Sequence, residues 1–381
     1  MVTTTELATE AIVADAAART GVPPESFQFL TNLDRLASSL SDEARLTPSG
    51  RRAVAGALSS ALVVQARLAR LVERHPEIAR WPVPRPVFVT GLLRTGTTLV
   101  HNLLAHHPGL RVPALWELMN PAEERGDTDR YRRLADEAQG YVDEYNRIAP
   151  DLRHIHYLDA RRPDECHRLL GNTFASMVYE MRYRVPSYGA WLRDRDLTEE
   201  YHYHRQQLQA LLWRSAGGPV VLKCPFHLWS IAELVAVYPD ARIVQLHRDP
   251  AQTVPSTCSL CVAVREARSD QVDREEIGRQ WLGRIDQVIG GVSAARELIP
   301  PGQLLDVRYA DLVADPIGTV AEICDFIGVP MTGPAESAMR AYLRENSQTK
   351  HGVHRYRPED FGLDGADLGH RFAQYRQTFD C

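Results

Sequence analysis

The sequence predicts an α/β protein: a three-layer αβα domain around a central parallel sheet, with a helical N-terminal segment and a helical cap insertion. Short apolar, β-branched runs at 86–90, 219–223, 242–246 and 303–307 each lead into a stretch of helical periodicity. A proline-rich break, Trp81-Pro82-Val83-Pro84-Arg85-Pro86, separates the first run from a purely helical beginning, since proline cannot continue a helix. Between about 120 and 215 helical spacing dominates and Arg, Tyr and His are abundant, as in an insertion capping the sheet.

Taken in order, Glu6–Arg19 is Ala-rich and stops at Gly21, while Pro24–Leu40 carries Phe27, Leu30, Leu33 and Leu36 at helical spacing. A third helix, from about Arg51 to Arg74, places Leu58, Leu62, Val63, Leu68 and Leu71 on one broad face. Residues 1–82 thus form the N-terminal segment and 83–381 the α/β domain. Pro86-Val87-Phe88-Val89-Thr90 reads as a buried parallel strand, 91–96 as a turn, and Thr97–His106 as a helix with Leu99, Leu103 and Leu104 inward. The later strands feed helices predicted over 228–238, 252–265 and 316–327.

The 381 residues, 44% hydrophobic and 24% charged, suffice for one large core or two ordinary ones. A net charge of −5 with no Lys/Arg-rich arm excludes non-specific nucleic-acid binding, which needs a positive footprint. The N-terminus lacks a basic, then apolar, leader, and no run reaches the roughly 18 apolar residues of a membrane span. A cytoplasmic protein without a membrane span is therefore expected. Six cysteines are too few for a disulfide scaffold. Cys258 and Cys261 form a C-x-x-C that could be a redox pair or half a zinc site, but no second pair accompanies it. Small buried residues on one helix face are the favoured reading, and no metal is expected.

Gly91-Leu92-Leu93-Arg94-Thr95-Gly96-Thr97-Thr98 has P-loop-like glycine spacing between a strand and a helix. Such glycines let backbone N–H groups converge on phosphate oxygens at a positive helix end. Thr97 occupies the place of the P-loop lysine, which disfavours a nucleoside triphosphatase, and a cation appears instead at Arg94. Alone, the loop could be an ordinary strand-to-helix turn. It is joined by Arg242-Ile243-Val244-Gln245-Leu246-His247-Arg248-Asp249-Pro250 with Ser256 eight residues after Arg248, and by Arg308-Tyr309-Ala310-Asp311 leading to Phe326-Ile327-Gly328. Late in the chain stands Lys350-His351-Gly352-Val353-His354-Arg355-Tyr356.

Together these segments, covering about residues 86–375, resemble sulfotransferases that use 3′-phosphoadenosine 5′-phosphosulfate (PAPS), especially bacterial ones with a helical N-terminal segment. The resemblance implies that Arg94, Thr95, Gly96, Thr97, Thr98 and Leu99 hold the 5′-phosphosulfate, and that Arg248 and Ser256 grip the 3′-phosphate. It places Tyr309 near the nucleotide and Lys350, His351 and Gly352 in a basic loop over it. Lys223, ending an apolar strand, would stabilise the leaving group; a lysine there otherwise needs to reach solvent. Glu117 matches the position of the catalytic Glu of protein-tyrosine sulfotransferases and is the favoured base. His227 is its rival, although Lys-x-x-x-His here departs from the Lys-x-His of cytosolic sulfotransferases.

Pro163-Asp164-Glu165-Cys166-His167-Arg168 reads either as an acidic helix start or as part of an acceptor pocket, the former slightly favoured. The cap's Tyr179, Tyr183, Tyr188, Trp191, Tyr201 and Tyr203 suit either a greasy acceptor or an ordinary helical core. The acceptor is expected to be a small, glycan-like or lipid-like molecule with a hydroxyl. The rival functions are an ATP-dependent kinase, with Asp249 as its acid, and a nucleotide-binding protein without turnover. Oligomeric state leaves no mark in the sequence.

Overall fold

Four apolar runs pair into one parallel sheet, and its pleat sorts their side chains into two cores. In a computed structural model, which describes residues 7–124, 126–150, 152, 157–215, 218–346 and 356–381, the strands are β1 (Val87–Gly91), β2 (Val221–Lys223), β3 (Arg242–His247) and β4 (Leu304–Arg308). Their order is β2-β1-β3-β4. Val87 of β1 sits opposite Val221 on one side and Arg242 on the other, and Ile243 pairs with Leu304. Val87, Val89, Val221, Val244 and Leu246 face one core, built with α4 (Thr97–Leu104) and the helix Pro316–Ile327. Phe88, Leu222 and Ile243 face the other, with the helices Pro250–Glu266 and Arg274–Glu297. Every β1 residue is buried, as a strand covered on both faces must be.

The N-terminal helices α1 (Thr9–Thr20), α2 (Leu30–Glu43) and α3 (Pro48–Arg74) share the core that holds Phe88, through Leu33, Leu36, Leu58 and Leu62. The single helix predicted over 24–40 is two elements, a 3₁₀ turn at Pro24–Ser26 and then α2. They part at Phe29, which adopts a left-handed φ of 58° and sets its ring edge-on to Tyr203. α3 starts at Pro48, with Thr47 Oγ1 accepting from the Gly50 amide at 2.9 Å. It also corrects the expectation about apolar runs. An 18-residue window of α3 has mean hydropathy 1.2, apolar enough for a span, yet 61% of it is buried in the protein. α3 packs against α1.

The helix Arg274–Glu297 has no counterpart in the sequence reading, because charged residues dilute its stripe of Ile277, Trp281, Ile285, Val288 and Val292. The helix predicted over 228–238 is a 3₁₀ turn, Pro225–Trp229, followed by Ile231–Val237. Cys258 and Cys261 are free and buried on one helix, and burial pushes both thiols up, so neither is a ready nucleophile.

His101 and His204 are buried and neutral: burial lowers each imidazole from 6.5 to about 3. Below pH 6.5 the unfolded chain binds protons that these rings refuse in the folded state, so stability must fall as pH drops from 6.5 toward 3. Urea midpoints are expected to be lower at about pH 5 than at pH 7, with a smaller difference in His204→Phe. A variant with an undiminished pH slope contradicts this assignment for His204.

Candidate active site

β1 runs straight into the glycine-bounded loop, and both glycines are dictated by space. Gly91 has φ 147°, and a Cβ there would lie 2.5 Å from the Leu246 carbonyl oxygen. Gly96 has φ 91°, and a Cβ would lie 2.8 Å from Leu312 Cδ2 and 3.0 Å from the Tyr309 ring. Between them the Thr95 hydroxyl donates to the Leu92 carbonyl at 2.7 Å, and Arg94 is held at φ 70°. Gly96 is the N-cap of α4, so that helix's first N–H groups open onto the cradle.

Side chains from β3 and the helix after it close the cradle's other flank. Arg94 Nε donates to Ser256 Oγ at 3.3 Å, and Arg248 Nη1 donates to the Arg94 carbonyl at 3.0 Å. The Arg248 guanidinium lies 4.3 Å over the Tyr309 ring, while its buried Nε has no hydrogen-bond partner among the described residues. The structure therefore brings Arg94, Arg248, Ser256 and Tyr309 into one positively charged corner. The sequence had divided Arg94 and Ser256 between two ends of a ligand; here they touch. Lys350, His351 and Gly352 lie outside the described residues.

A second cluster joins the sheet to the cap. Lys223, at the end of β2 and 2% exposed, donates from Nζ to Glu165 Oε1 at 2.6 Å and to Thr98 Oγ1 at 3.3 Å. The other Glu165 oxygen is 3.0 Å from His167 Nδ1. On the far side of that ring, Arg182 Nη2 donates to Nε2 at 3.4 Å. Burial, aided by Arg182 and Arg168, lowers the His167 pKa against the opposing pull of Glu165. The ring is thus neutral at neutral pH, hydrogen-bonded through both nitrogens. The segment 163–168, slightly favoured from sequence as a plain helix start, lines the cavity instead.

Glu117 and His227 are not placed as bases. Glu117 forms an ion pair with Arg111, accepts from the Ala114 amide at 3.0 Å, and does not line the cavity. It caps its own short helix, Leu115–Met119. Its distance along the chain from the loop was the only signal, and chain distance does not fix direction. His227 is fully buried, edge-on to the Phe88 ring, with Nδ1 2.7 Å from the Tyr201 hydroxyl and Nε2 3.0 Å from Cys166 Sγ. Burial pushes its pKa well down, and no face of it meets the cavity. Residue-type reasoning quoted Glu165 and His167 but could not see that Lys223 would select them.

The cavity between the two clusters has a volume of about 290 Å³. One end is lined by Arg94, Gly96, Thr97, Thr98, Arg248 and Tyr309; Glu165 and His167 also line it, and apolar cap residues complete the wall. Arg94 and Arg248 at one end, with the half-buried Glu165 carboxylate in the same wall, suit transfer of an anionic group to a hydroxyl. Residues 86–333 match the model of the sulfotransferase family. The chain belongs to the sulfotransferase family.

This sulfotransferase is similar to the omega-hydroxy-beta-dihydromenaquinone-9 sulfotransferase Stf3 of Mycobacterium tuberculosis, 24% identical over 281 residues, which are 70% of this chain and 68% of that protein. Among solved structures it resembles sulfotransferase STF1 of Mycobacterium tuberculosis H37Rv, with 30% identity, a TM-score of 0.83, and coverage of 96% and 98% of the two chains. It also resembles sulfotransferase STF9 of Mycobacterium avium, with 27% identity, a TM-score of 0.85, and coverage of 98% and 97%. Both matches extend over the helical N-terminal segment as well as the α/β domain. An enzyme of sulfuryl transfer replaces the kinase and non-catalytic alternatives.

The capping role assigned to Glu117 predicts that Glu117→Ala costs about 1–2 kcal/mol of stability and leaves turnover within a few fold. Thermal denaturation and a sulfate-transfer assay check both. A loss of about 10²-fold or more in kcat with unchanged stability contradicts it.

Proposed function

We propose that this sulfotransferase takes PAPS as donor and passes its sulfuryl group to a hydroxyl on an acceptor held in the cap cavity. The observation that carries the reading is the Lys223–Glu165 ion pair of 2.6 Å, which links Thr98 on the loop side to His167 on the cap side. The residues also fit a ligand phosphorylated at both ends: the glycine cradle opens on one anion position, and Arg248 Nε, without a partner among the described residues, suggests another. The Thr95–Thr98 backbone and the α4 N-terminus receive the 5′ group, with Leu99 walling it. Arg248, Ser256 and Arg94 hold the 3′-phosphate, and Tyr309 supports the Arg248 guanidinium. Arg94 therefore moves from the 5′ end, where the sequence put it, toward the 3′ end.

When bound, PAPS supplies a sulfur whose bond to the phosphate oxygen breaks as the acceptor oxygen attacks in line, leaving 3′,5′-diphosphoadenosine. Glu165 takes the acceptor's proton, and neutral His167, hydrogen-bonded to its other oxygen, orients the carboxylate and shares the charge change. Lys223 supplies the cation for charge building on the leaving oxygen, a contribution typically of about 10²–10³ in rate. Glu165 and Lys223 need no metal for this division of labour.

Calorimetry with 3′,5′-diphosphoadenosine and steady-state kinetics test the assignment. Arg248→Ala is expected to weaken nucleotide binding by about tenfold or more. Glu165→Gln is expected to bind the nucleotide as wild type does but to lose about 10²–10⁴ in kcat. Undiminished binding in Arg248→Ala, or undiminished kcat in Glu165→Gln, sinks the corresponding role.

A further inference from the structure

The acceptor side of the cavity is largely apolar, walled by Leu152, Leu158, Val178, Met181, Leu260 and Val264, and charged side chains are set into it. Arg182 stands in this wall. The neighbouring charges cancel in pairs: Arg168 with Asp164, and Lys223 with Glu165. Arg182 has no such partner; among the described residues no carboxylate comes within 4.0 Å of it. Its side-chain hydrogen bond goes to a neutral imidazole, His167 Nε2, at a long 3.4 Å.

Burial would lower the Arg182 pKa, but the oxygens of Tyr141, Tyr145, Tyr183 and Tyr179 around it turn the shift upward, so the group stays charged. Its field is felt by those rings. Burial raises the Tyr141 hydroxyl, yet Arg182, and then Arg168, overcome that and leave its pKa lowered. A half-buried guanidinium ringed by phenols, with no carboxylate counter-charge among the described residues, is costly until an anion arrives. Lys223, Glu165, His167 and Arg182 follow one another in a chain of contacts, so Arg182 lies at the end away from Thr98 and the donor cradle.

We infer that Arg182 is the specificity-determining anchor of the acceptor site, and that the acceptor is an apolar alcohol or phenol carrying an anionic group that pairs with this guanidinium. The inference rests on the sulfuryl-transfer reading of the cavity and adds the chemical class of its acceptor. An apolar body fills the aliphatic wall and excludes water, and within that wall the ion pair with Arg182 is stronger than it would be in solvent. A neutral alcohol of the same length leaves the guanidinium desolvated and unpaired, so the site selects against it.

The test is calorimetric titration of the enzyme, loaded with 3′,5′-diphosphoadenosine, with octanoate and with 1-octanol. Wild type is expected to bind octanoate about tenfold or more tightly than 1-octanol. Arg182→Met is expected to erase the preference, and Arg182→Lys, which keeps the charge and guards against a folding defect, to retain part of it. Equal affinities in wild type, a preference that survives in Arg182→Met, or failure of both probes to bind overturns the inference. Nucleotide binding in the same samples separates the two levels. Its loss in wild type contradicts the donor reading beneath the inference, whereas retained nucleotide binding without carboxylate preference contradicts the acceptor class alone.

Discussion

The site depends on the buried ion pair between Lys223 and Glu165. A lysine at the end of a buried strand, 2% exposed, cannot stay charged without an anion, and the sheet itself offers none. The anion comes from the cap, and a backbone bond from the Cys166 amide to the Lys223 carbonyl at 3.0 Å fixes the two segments side by side. One pairing thus seats the cap on the sheet, sets His167 and Arg182 in line behind it, and leaves Thr98 within reach of the same ammonium. Structure and chemistry are not separable here, because the contact that docks the cap is also the one that holds a proton acceptor beside a cation.

The opposite flank is built on steric grounds. Gly91 and Gly96 leave no room for a side chain, so the loop lies flat against β3 and against the helix Tyr309–Ala314. Arg94, bent into a left-handed conformation, carries its guanidinium to Ser256. The loop's cation therefore serves a corner shared with Arg248, whereas a P-loop lysine would reach along the phosphates. The departure from the nucleotide-hydrolase pattern noticed at Thr97 has its counterpart in this geometry.

What was legible in the sequence was local. The four strands, the Gly91–Gly96 loop and the helix Pro316–Ile327 announce themselves through runs of contiguous residues whose burial and turn chemistry do not depend on distant partners. The helix Arg274–Glu297 was not legible, because its buried stripe is thin among charges and only the Phe88 core tells which face is inside. Glu117 illustrates the same limit at the site. Its neighbour Ala114 takes its carboxylate as a cap, a role that any acid three residues into a helix can fill. Glu165 lies just before its helix, with Cys166 at the N-cap of His167–Gly171, so its carboxylate is left to pair with Lys223, 58 residues away. His227 fails for the complementary reason: the residues that bury it, Tyr201 and Cys166, come from the cap.

The central claim is that Lys223 and Glu165 act as one unit in transfer, and a double-mutant cycle on kcat addresses it most directly. Lys223→Met, Glu165→Gln and the double variant are compared with wild type, with 3′,5′-diphosphoadenosine affinity as the control for folding. If the pair is one unit, the double variant is about as slow as the slower single variant, because removing either partner already disables both. Losses that multiply independently across the two positions contradict the account.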